Sequence, residues 1–258
     1  MTRIASRSND RVKRVCRLVR SASERRESRL FVLEGLRLCC DAAQNGVVAE
    51  EVYVTDRFRE KYPEECALLE SKSRAVFAVD EPVMTKMSDT DSSSGVMSVI
   101  SLDAVAVSPA LNASGRYVAL ETVADPANLG AIARTAEALG VSGLLLFGSC
   151  CDRFNPKALR ASMGALLRLP VYDCDSVEAL KAAGLELYAT VVDPAALPIA
   201  QAGFHAGSVV FIGNEANGLS QEVITACDKR ITIPIAGRSE SFNAAAAAAI
   251  TLWELMKA

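Results

Sequence analysis

The sequence predicts an α/β protein whose C-terminal half carries a mostly parallel sheet, and three observations predict it. Half of the 258 residues are hydrophobic, enough to bury a core in each of two domains. Short apolar, β-prone runs recur along the chain, with stretches of helical spacing between them. Beyond residue 116 this alternation becomes regular, as expected of strands paired in parallel and covered by helices on both faces.

The elements follow in order. After a basic N-terminal helix, Leu30–Gly35 reads as a short buried strand and Leu36–Gln44 as a helix. Strand-like Glu51–Thr55, a helical stretch around Glu60–Ser71 and strand-like Ala75–Val79 continue a small α/β unit. Asp89–Gly95 is polar and turn-rich, Val96–Leu102 is apolar and β-prone, and a closing strand is expected near Val107. The first domain is therefore placed at 1–107, a linker with Pro109, Asn112 and Gly115 at 108–115, and the second domain at 116–258.

In the second domain the expected strands are Tyr117–Glu121, Gly143–Phe147, Leu169–Tyr172, Glu186–Val192, Ser208–Ile212 and Lys229–Ile233. The expected helices are Asn128–Leu139, Pro156–Ala165, Val177–Ala183, Ser220–Cys227 and Phe242–Met256. Six consecutive alanines, Ala244–Ala249, favour helix strongly in the last of these and permit close packing.

Composition removes several classes of function. No apolar run reaches the roughly 18 to 20 residues of a bilayer span, and the Arg-rich start lacks the apolar core of a signal peptide, so an unexported cytoplasmic protein without membrane contact is expected. Eight cysteines include no C-x-x-C pair, and the single histidine, His205, lies in a Gly-rich loop. Reduced thiols are expected, with neither disulfides nor a metal site. Neither a G-x-G-x-x-G after a first strand nor a P-loop is present, which disfavours a dinucleotide or nucleoside triphosphate site.

The net charge of −3 conceals an asymmetry. Met1–Arg37 holds eleven Lys or Arg against four acids, a surplus of seven, so the remainder carries −10. Arg11, Lys13, Arg14 and Arg17 form the densest part of that arm. A concentrated positive field attracts phosphates; a solvated helix face explains the same charges, and composition leaves both readings open.

Ligands of an open parallel sheet bind beyond the carboxyl ends of its strands, which singles out four loops. In Glu121–Arg134, Asn128 is expected to cap a helix and Arg134 to lie between one and two turns into it, where a guanidinium can hold a phosphate or orient a hydroxyl. In Val209–Ser220, Gly213 and Gly218 let backbone amides approach a ligand, and Asn214 and Glu215 sit in the turn. Ile231–Asn243 runs from a strand through a polar loop into the last helix. In Asn155–Ala165, Lys157 and Arg160 lie at or near a helix start, suited to phosphate or to plain solvation.

Three of these stretches carry a resemblance. N-L-G-x-x-x-R at Asn128–Arg134, F-I-G-N-E-A-N-G-L at Phe211–Leu219 and I-P-I-x-G-x-x-E-S-F-N at Ile233–Asn243 resemble, in this order, the three motifs of the SpoU (TrmH) family of RNA 2′-O-ribose methyltransferases, in the SPOUT superfamily. The N-terminal region, with its basic helix and Phe31–Gly35, is similar to the small RNA-binding domain, related to ribosomal protein L30, that many members carry.

The resemblance implies a deep trefoil knot, an S-adenosylmethionine pocket and a homodimer with the last helix at its interface. Carried over position by position, it assigns the cofactor to Thr190, Val191, Gly213, Asn214, Ile233, Ile235 and Phe242. Arg134 becomes the catalytic arginine, surrounded by Asn128, Glu215, Ser241 and Asn243. The family's usual leucine between that serine and asparagine is Phe242 here, a departure on the adenine side of the pocket.

The partner implied is RNA and not DNA, rRNA ahead of tRNA. Arginine, with a pKa above about 12, is a poor base, so Arg134 is expected to orient hydroxyl and phosphate. Two alternatives are a non-catalytic rRNA-binding scaffold, against which the intact polar set argues, and base methylation, against which the Asn-to-Arg spacing argues.

Overall fold

The computed structural model describes residues 1–90, 92–105 and 109–257, and the chain divides into two compact units. One is Met1–Val107 with Phe154–Leu167; the other is Ser108–Arg153 with Arg168–Ala258. The closing strand expected near Val107, and Ser108 at the head of the expected linker, lie outside the described residues. From Asn112 the linker stretch is tied to the second unit. The Asn112 N–H donates to the Tyr117 hydroxyl at 2.8 Å, and the Gly207 N–H to the Gly115 carbonyl at 3.0 Å.

The first unit runs β1 (Thr2–Ile4), α1 (Asp10–Arg20), α2 (Ala22–Ser28), β2 (Leu30–Glu34), α3 (Leu36–Gln44), β3 (Glu51–Val54), α4 (Asp56–Lys61), α5 (Pro63–Ser71), β4 (Val76–Val79), α6 (Glu81–Met87) and β5 (Val96–Ser101). Its five-stranded sheet has the order β1-β4-β3-β5-β2, parallel through β4 and antiparallel through β5. The Asn9 side chain accepts the Arg11 N–H and starts α1. That helix sets Val12, Val15 and Leu18 in one buried cluster with Val32, Tyr53, Met97 and Val99 of the sheet.

The single helix expected around Glu60–Ser71 is two helices. Tyr62, at φ −132° and ψ 63°, precedes Pro63, and a residue before proline resists helical backbone. β1 and α6 escape the sequence reading. The first has three residues, two of them exposed, and the second opens on Glu81-Pro82, which reads as a turn.

The chain continues with β6 (Tyr117–Glu121), α7 (Pro126–Leu139), β7 (Gly143–Phe147), α8 (Pro156–Ser162), α9 (Ala165–Arg168), β8 (Val171–Cys174), α10 (Val177–Ala182), β9 (Glu186–Thr190), β10 (Leu197–Pro198), β11 (Ser208–Ile212), α11 (Gln221–Ala226), β12 (Lys229–Thr232) and α12 (Ala244–Lys257). The second unit's seven-stranded sheet has the order β10-β12-β9-β11-β6-β7-β8, with every described pairing parallel. Val118–Leu120, Leu144–Leu145 and Val209–Phe211 are fully buried, as a sheet covered on both faces requires. Each such Val, Leu or Phe stabilises the fold by roughly 1.5–3 kcal/mol. α12 packs on α7 and β11 through Ala244, Ala248, Leu252 and Leu255.

Several boundaries move for local reasons. α7 starts at Pro126 rather than Asn128, because Asp125 is the cap and its carboxylate accepts the Ala127 N–H. The helix expected to reach Ala165 ends at Ser162, where Met163 (φ 52°) and Gly164 (φ 91°) turn left-handed. Pro170 delays β8 to Val171, and α12 begins at Ala244 because Asn243 caps it, accepting the Ala245 and Ala246 N–H groups.

Candidate functional site

At the carboxyl ends of β9, β11 and β12 the chain encloses a cavity of about 500 Å³, within the usual range for a small-molecule site. Thr190 and Val191 line it from the end of β9, and Gly213 and Asn214 from the turn after β11. Ile233, Ile235 and Phe242 line it from the run between β12 and α12, with Ala244 and Ala247 of α12 as a wall. All seven residues assigned to the cofactor from sequence thus meet at one cavity, joined there by Glu215 and Ser241. Asn128, Arg134 and Asn243 are not among its lining residues.

The turn after β11 is held by reciprocal backbone bonds between Asn214 and Gly218, each 2.9 Å. A Cβ added at Gly213 would lie 2.1 Å from the Gly218 carbonyl carbon and 2.3 Å from the Leu219 nitrogen, so only glycine lets the strand pass its own returning turn.

Asn128 does not cap its helix. It is buried in the first turn of α7, where its Nδ2 donates to Glu215 Oε1 at 2.9 Å and its Oδ1 accepts from Asn243 Nδ2 at 3.1 Å. Asp125-Pro126, with proline at the first helical position, is the stronger start signal. Glu215 Oε1 also accepts the Asp125 N–H at 3.1 Å, and Oε2 accepts the Ala124 N–H at 3.2 Å and Asn214 Nδ2 at 3.4 Å. Asn214 Nδ2 donates further to the Thr122 carbonyl at 2.8 Å. One polar network therefore staples together the three loops that carry the motifs.

Burial pushes the Glu215 carboxyl up, but the hydrogen bonds from Asn128 and from backbone amides outweigh it and hold the group below the ordinary glutamate range. A carboxylate so stabilised is a weak base, and its acceptor sites face donors already. The arrangement suits a clamp that shapes the cavity rather than a proton carrier.

Arg134 stands apart from this network. It lies six residues beyond Asn128, roughly 9 Å along the axis and about a third of a turn away in bearing. Its side chain is exposed, and no hydrogen bond or ion pair engages it among the described residues.

The N-terminal cations are largely engaged. Glu51, its side chain 8% exposed, is bonded by Arg11, by Arg14 and, at 2.5 Å, by the Tyr53 hydroxyl. Lys13 pairs with Asp10 at 3.0 Å and Arg17 with Glu24 at 3.2 Å. In α8, Lys157 is exposed, whereas Arg160 pairs with Asp89 at 2.7 Å and lies 3.6 Å from Glu34.

Sequence reading missed the Arg230–Asp193 ion pair, 3.3 Å, in which both partners line the cavity. The signals available were Asp193-Pro194 shortly beyond β9 and the charged Arg230 beside apolar Ile231 in β12. It also missed Thr122, held at a φ of 54° between β6 and α7 and anchored to Asn214; nothing in the string of residues marks that conformation.

Comparison with known proteins gives a consistent picture. Residues 115–253 match the family model described as the SpoU rRNA Methylase family, and residues 9–98 match an MRM3-like substrate binding domain. A Synechocystis protein named as an uncharacterized tRNA/rRNA methyltransferase is 33% identical over 97% of this chain and 92% of its own length. The 23S rRNA (guanosine(2553)-2′-O)-methyltransferase RlmP of Bacillus subtilis is 27% identical over 99% of both chains. The crystal structure of an AdoMet-bound rRNA methyltransferase from Sinorhizobium meliloti superposes with a TM-score of 0.87 at 28% identity, covering 99% of this chain and 97% of that one.

Proposed function

The chain belongs to the SpoU rRNA methylase family, and from that premise we propose that it methylates a ribose 2′-hydroxyl of rRNA with S-adenosylmethionine. The observation that carries this reading is a cavity at the carboxyl ends of β9, β11 and β12 whose β11 and β12 loops are locked to the start of α7 through Asn128, Glu215, Asn214 and Asn243.

The residues present fit this cofactor. Val191, Ile212, Leu219, Ile233 and Ile235 offer an apolar slot for a purine, and Gly213 brings backbone within reach of it. The Thr190 hydroxyl is buried with no hydrogen-bond partner, a polar atom that a ligand would satisfy. When bound, S-adenosylmethionine supplies a methyl group already activated on a sulfonium. The protein's part is then to orient the ribose oxygen and receive its proton. Ser241 stands at the cavity with its hydroxyl free of bonds among the described residues. Arg134, unpaired among the described residues, holds phosphate or hydroxyl and stabilises developing oxyanion character. Glu215 keeps the loops in place, and the proton leaves to another group.

The same reading places RNA binding in the first unit, with the domain division at 1–107, 108–115 and 116–258 and an L30-like fold for the first part. It gives the second a deep trefoil knot, supported by the insertion of β12 between β10 and β9 before the chain returns to α12 on β11. It also makes the protein a homodimer through α12, whose Trp253 is 56% exposed. No helix among the described residues is long and apolar enough to cross a membrane.

The test is calorimetric titration with S-adenosylmethionine of the wild type and of Ala247→Phe, which fills the cavity from a helical wall without disturbing the Gly213 turn. Binding in the micromolar range, lost in the variant while its circular dichroism is unchanged, supports the proposal. No binding at millimolar cofactor, with or without RNA, overturns it in favour of an RNA-binding scaffold.

A further inference from the structure

Among the described residues few large hydrophobic side chains are exposed, and two of them stand on the rim of the same cavity. Val192 is 68% exposed and Phe242 42% exposed, and both line it. An aromatic ring left in water at the mouth of a binding site forgoes the stabilisation that burying its apolar surface would bring. Core packing does not explain that exposure. The resemblance sets Phe242 on the adenine side of the cofactor pocket, so the cofactor and the base being methylated are the two candidates to cover the ring.

The reaction read above constrains what lies against this ring. Methyl transfer needs the ribose oxygen about 3–3.5 Å from the methyl carbon, and the base is attached to the carbon next to the one bearing that oxygen. With the 2′-oxygen inside the cavity, its base remains within a few ångströms, at the mouth. A nucleotide presented to such a cavity leaves its stack most readily from a loop, bulge or flipped position, and an aromatic face replaces the stacking it has lost.

We propose that Phe242 is the stacking platform for the base of the nucleotide being methylated, with Val192 as an apolar wall beside it; the proposal rests on the ribose-methyltransferase reading. Arg238 lies four residues earlier in the same exposed loop. It carries no hydrogen bond or ion pair among the described residues, and so is available to an RNA phosphate. Stacking is tolerant of base identity, so the platform selects an unstacked nucleotide rather than a particular base.

The experiment compares wild type, Phe242→Ala, Phe242→Leu and Phe242→Tyr. It uses methyl transfer from labelled S-adenosylmethionine to large-subunit rRNA from a strain lacking the enzyme, together with calorimetric cofactor affinity for each variant. Loss of one base–aromatic stack corresponds to roughly a 5- to 150-fold rise in the RNA KM for Phe242→Ala. A smaller rise is expected for Phe242→Leu and recovery of most of the loss for Phe242→Tyr, with any rise in cofactor Kd staying well below tenfold although Phe242 also lines the cofactor cavity. An unchanged RNA KM in Phe242→Ala overturns the proposal, as does a cofactor Kd raised tenfold, which would turn the ring toward the adenine. A wild type that binds cofactor but transfers no methyl to this RNA sinks the underlying reading, and the platform with it.

Discussion

Replacing Glu215 by glutamine tests whether that carboxylate is a clamp or a participant in the chemistry. Four donors converge on it, two on each oxygen, at 2.9–3.4 Å. A glutamine keeps one oxygen and turns an NH₂ toward the other pair, so two contacts are lost and two donors face a third. Hydrogen bonds to a charged group contribute about 1.5–3 kcal/mol each in sheltered settings. Glu215 is solvent-exposed, and screening reduces the combined loss to roughly 1–2 kcal/mol. Read as stability, that is a Tm lowered by about 2–8 °C for a unit of this size. Read as cofactor affinity, if the whole cost falls on closing the loops, it is roughly a 5- to 30-fold weaker Kd.

Acid titration supplies a second readout. Because the folded-state pKa lies below the unfolded one, the stabilisation from Glu215 is complete above about pH 4.3 and fades as pH falls through the folded value. The difference in stability between wild type and Glu215→Gln should therefore shrink below that pH. Thermal unfolding between pH 3 and 7, with cofactor titration at pH 7, measures both. A variant with wild-type Tm and Kd but no methyl transfer would refute the clamp and make Glu215 a chemical participant.

Other substitutions have equally definite outcomes. Gly213→Ala places a carbon 2.1 Å from the Gly218 backbone; a destabilisation of roughly 2–3 kcal/mol, with loss of cofactor binding, is expected in denaturant melts and calorimetry. Arg134→Ala removes an exposed, unpaired side chain, so Tm and cofactor Kd should hold within error while methyl transfer falls at least a hundredfold; retained activity removes Arg134 from the mechanism. Replacing Arg11 and Arg14 together leaves Glu51 buried and unpaired by cations, which should cost about 3–5 kcal/mol and appear first as a lower Tm. Lys13→Gln and Arg17→Gln disturb only exposed pairs. Each should lower the slope of log Kd for RNA against log salt by about one if it contacts phosphate, and leave it unchanged otherwise.

The parallel sheet was legible because β6, β7 and β11 are unbroken apolar runs, and only burial on both faces tolerates those. The cavity loops were legible from glycines and polar residues placed directly beyond such runs. Short elements were not: β10 has two residues and β1 three, too few to show a period. Asn128 was misread as a cap because Asn and Asp both cap helices; Pro126 between the two decides for Asp125. Composition left the basic arm open between a phosphate-binding surface and a solvated helix face, and could not show that Arg11 and Arg14 are paired, because the one carboxylate that engages both, Glu51, arrives through β3, nearly forty residues away in sequence. Charge counted along a chain ignores who is folded beside whom.

The lining of the cavity begins at Thr190 and is not complete until Ala247. A ribosome working from the N-terminus at roughly 5–20 residues per second therefore finishes the whole of the first unit, and every described strand of the second, before the binding site is complete. Cofactor cannot act as a template for the early steps of folding. It can only select, at the end, those molecules whose last loops have found their places, so its binding energy falls on the final step of maturation, and a nascent chain held short of its last helix should be unable to methylate anything.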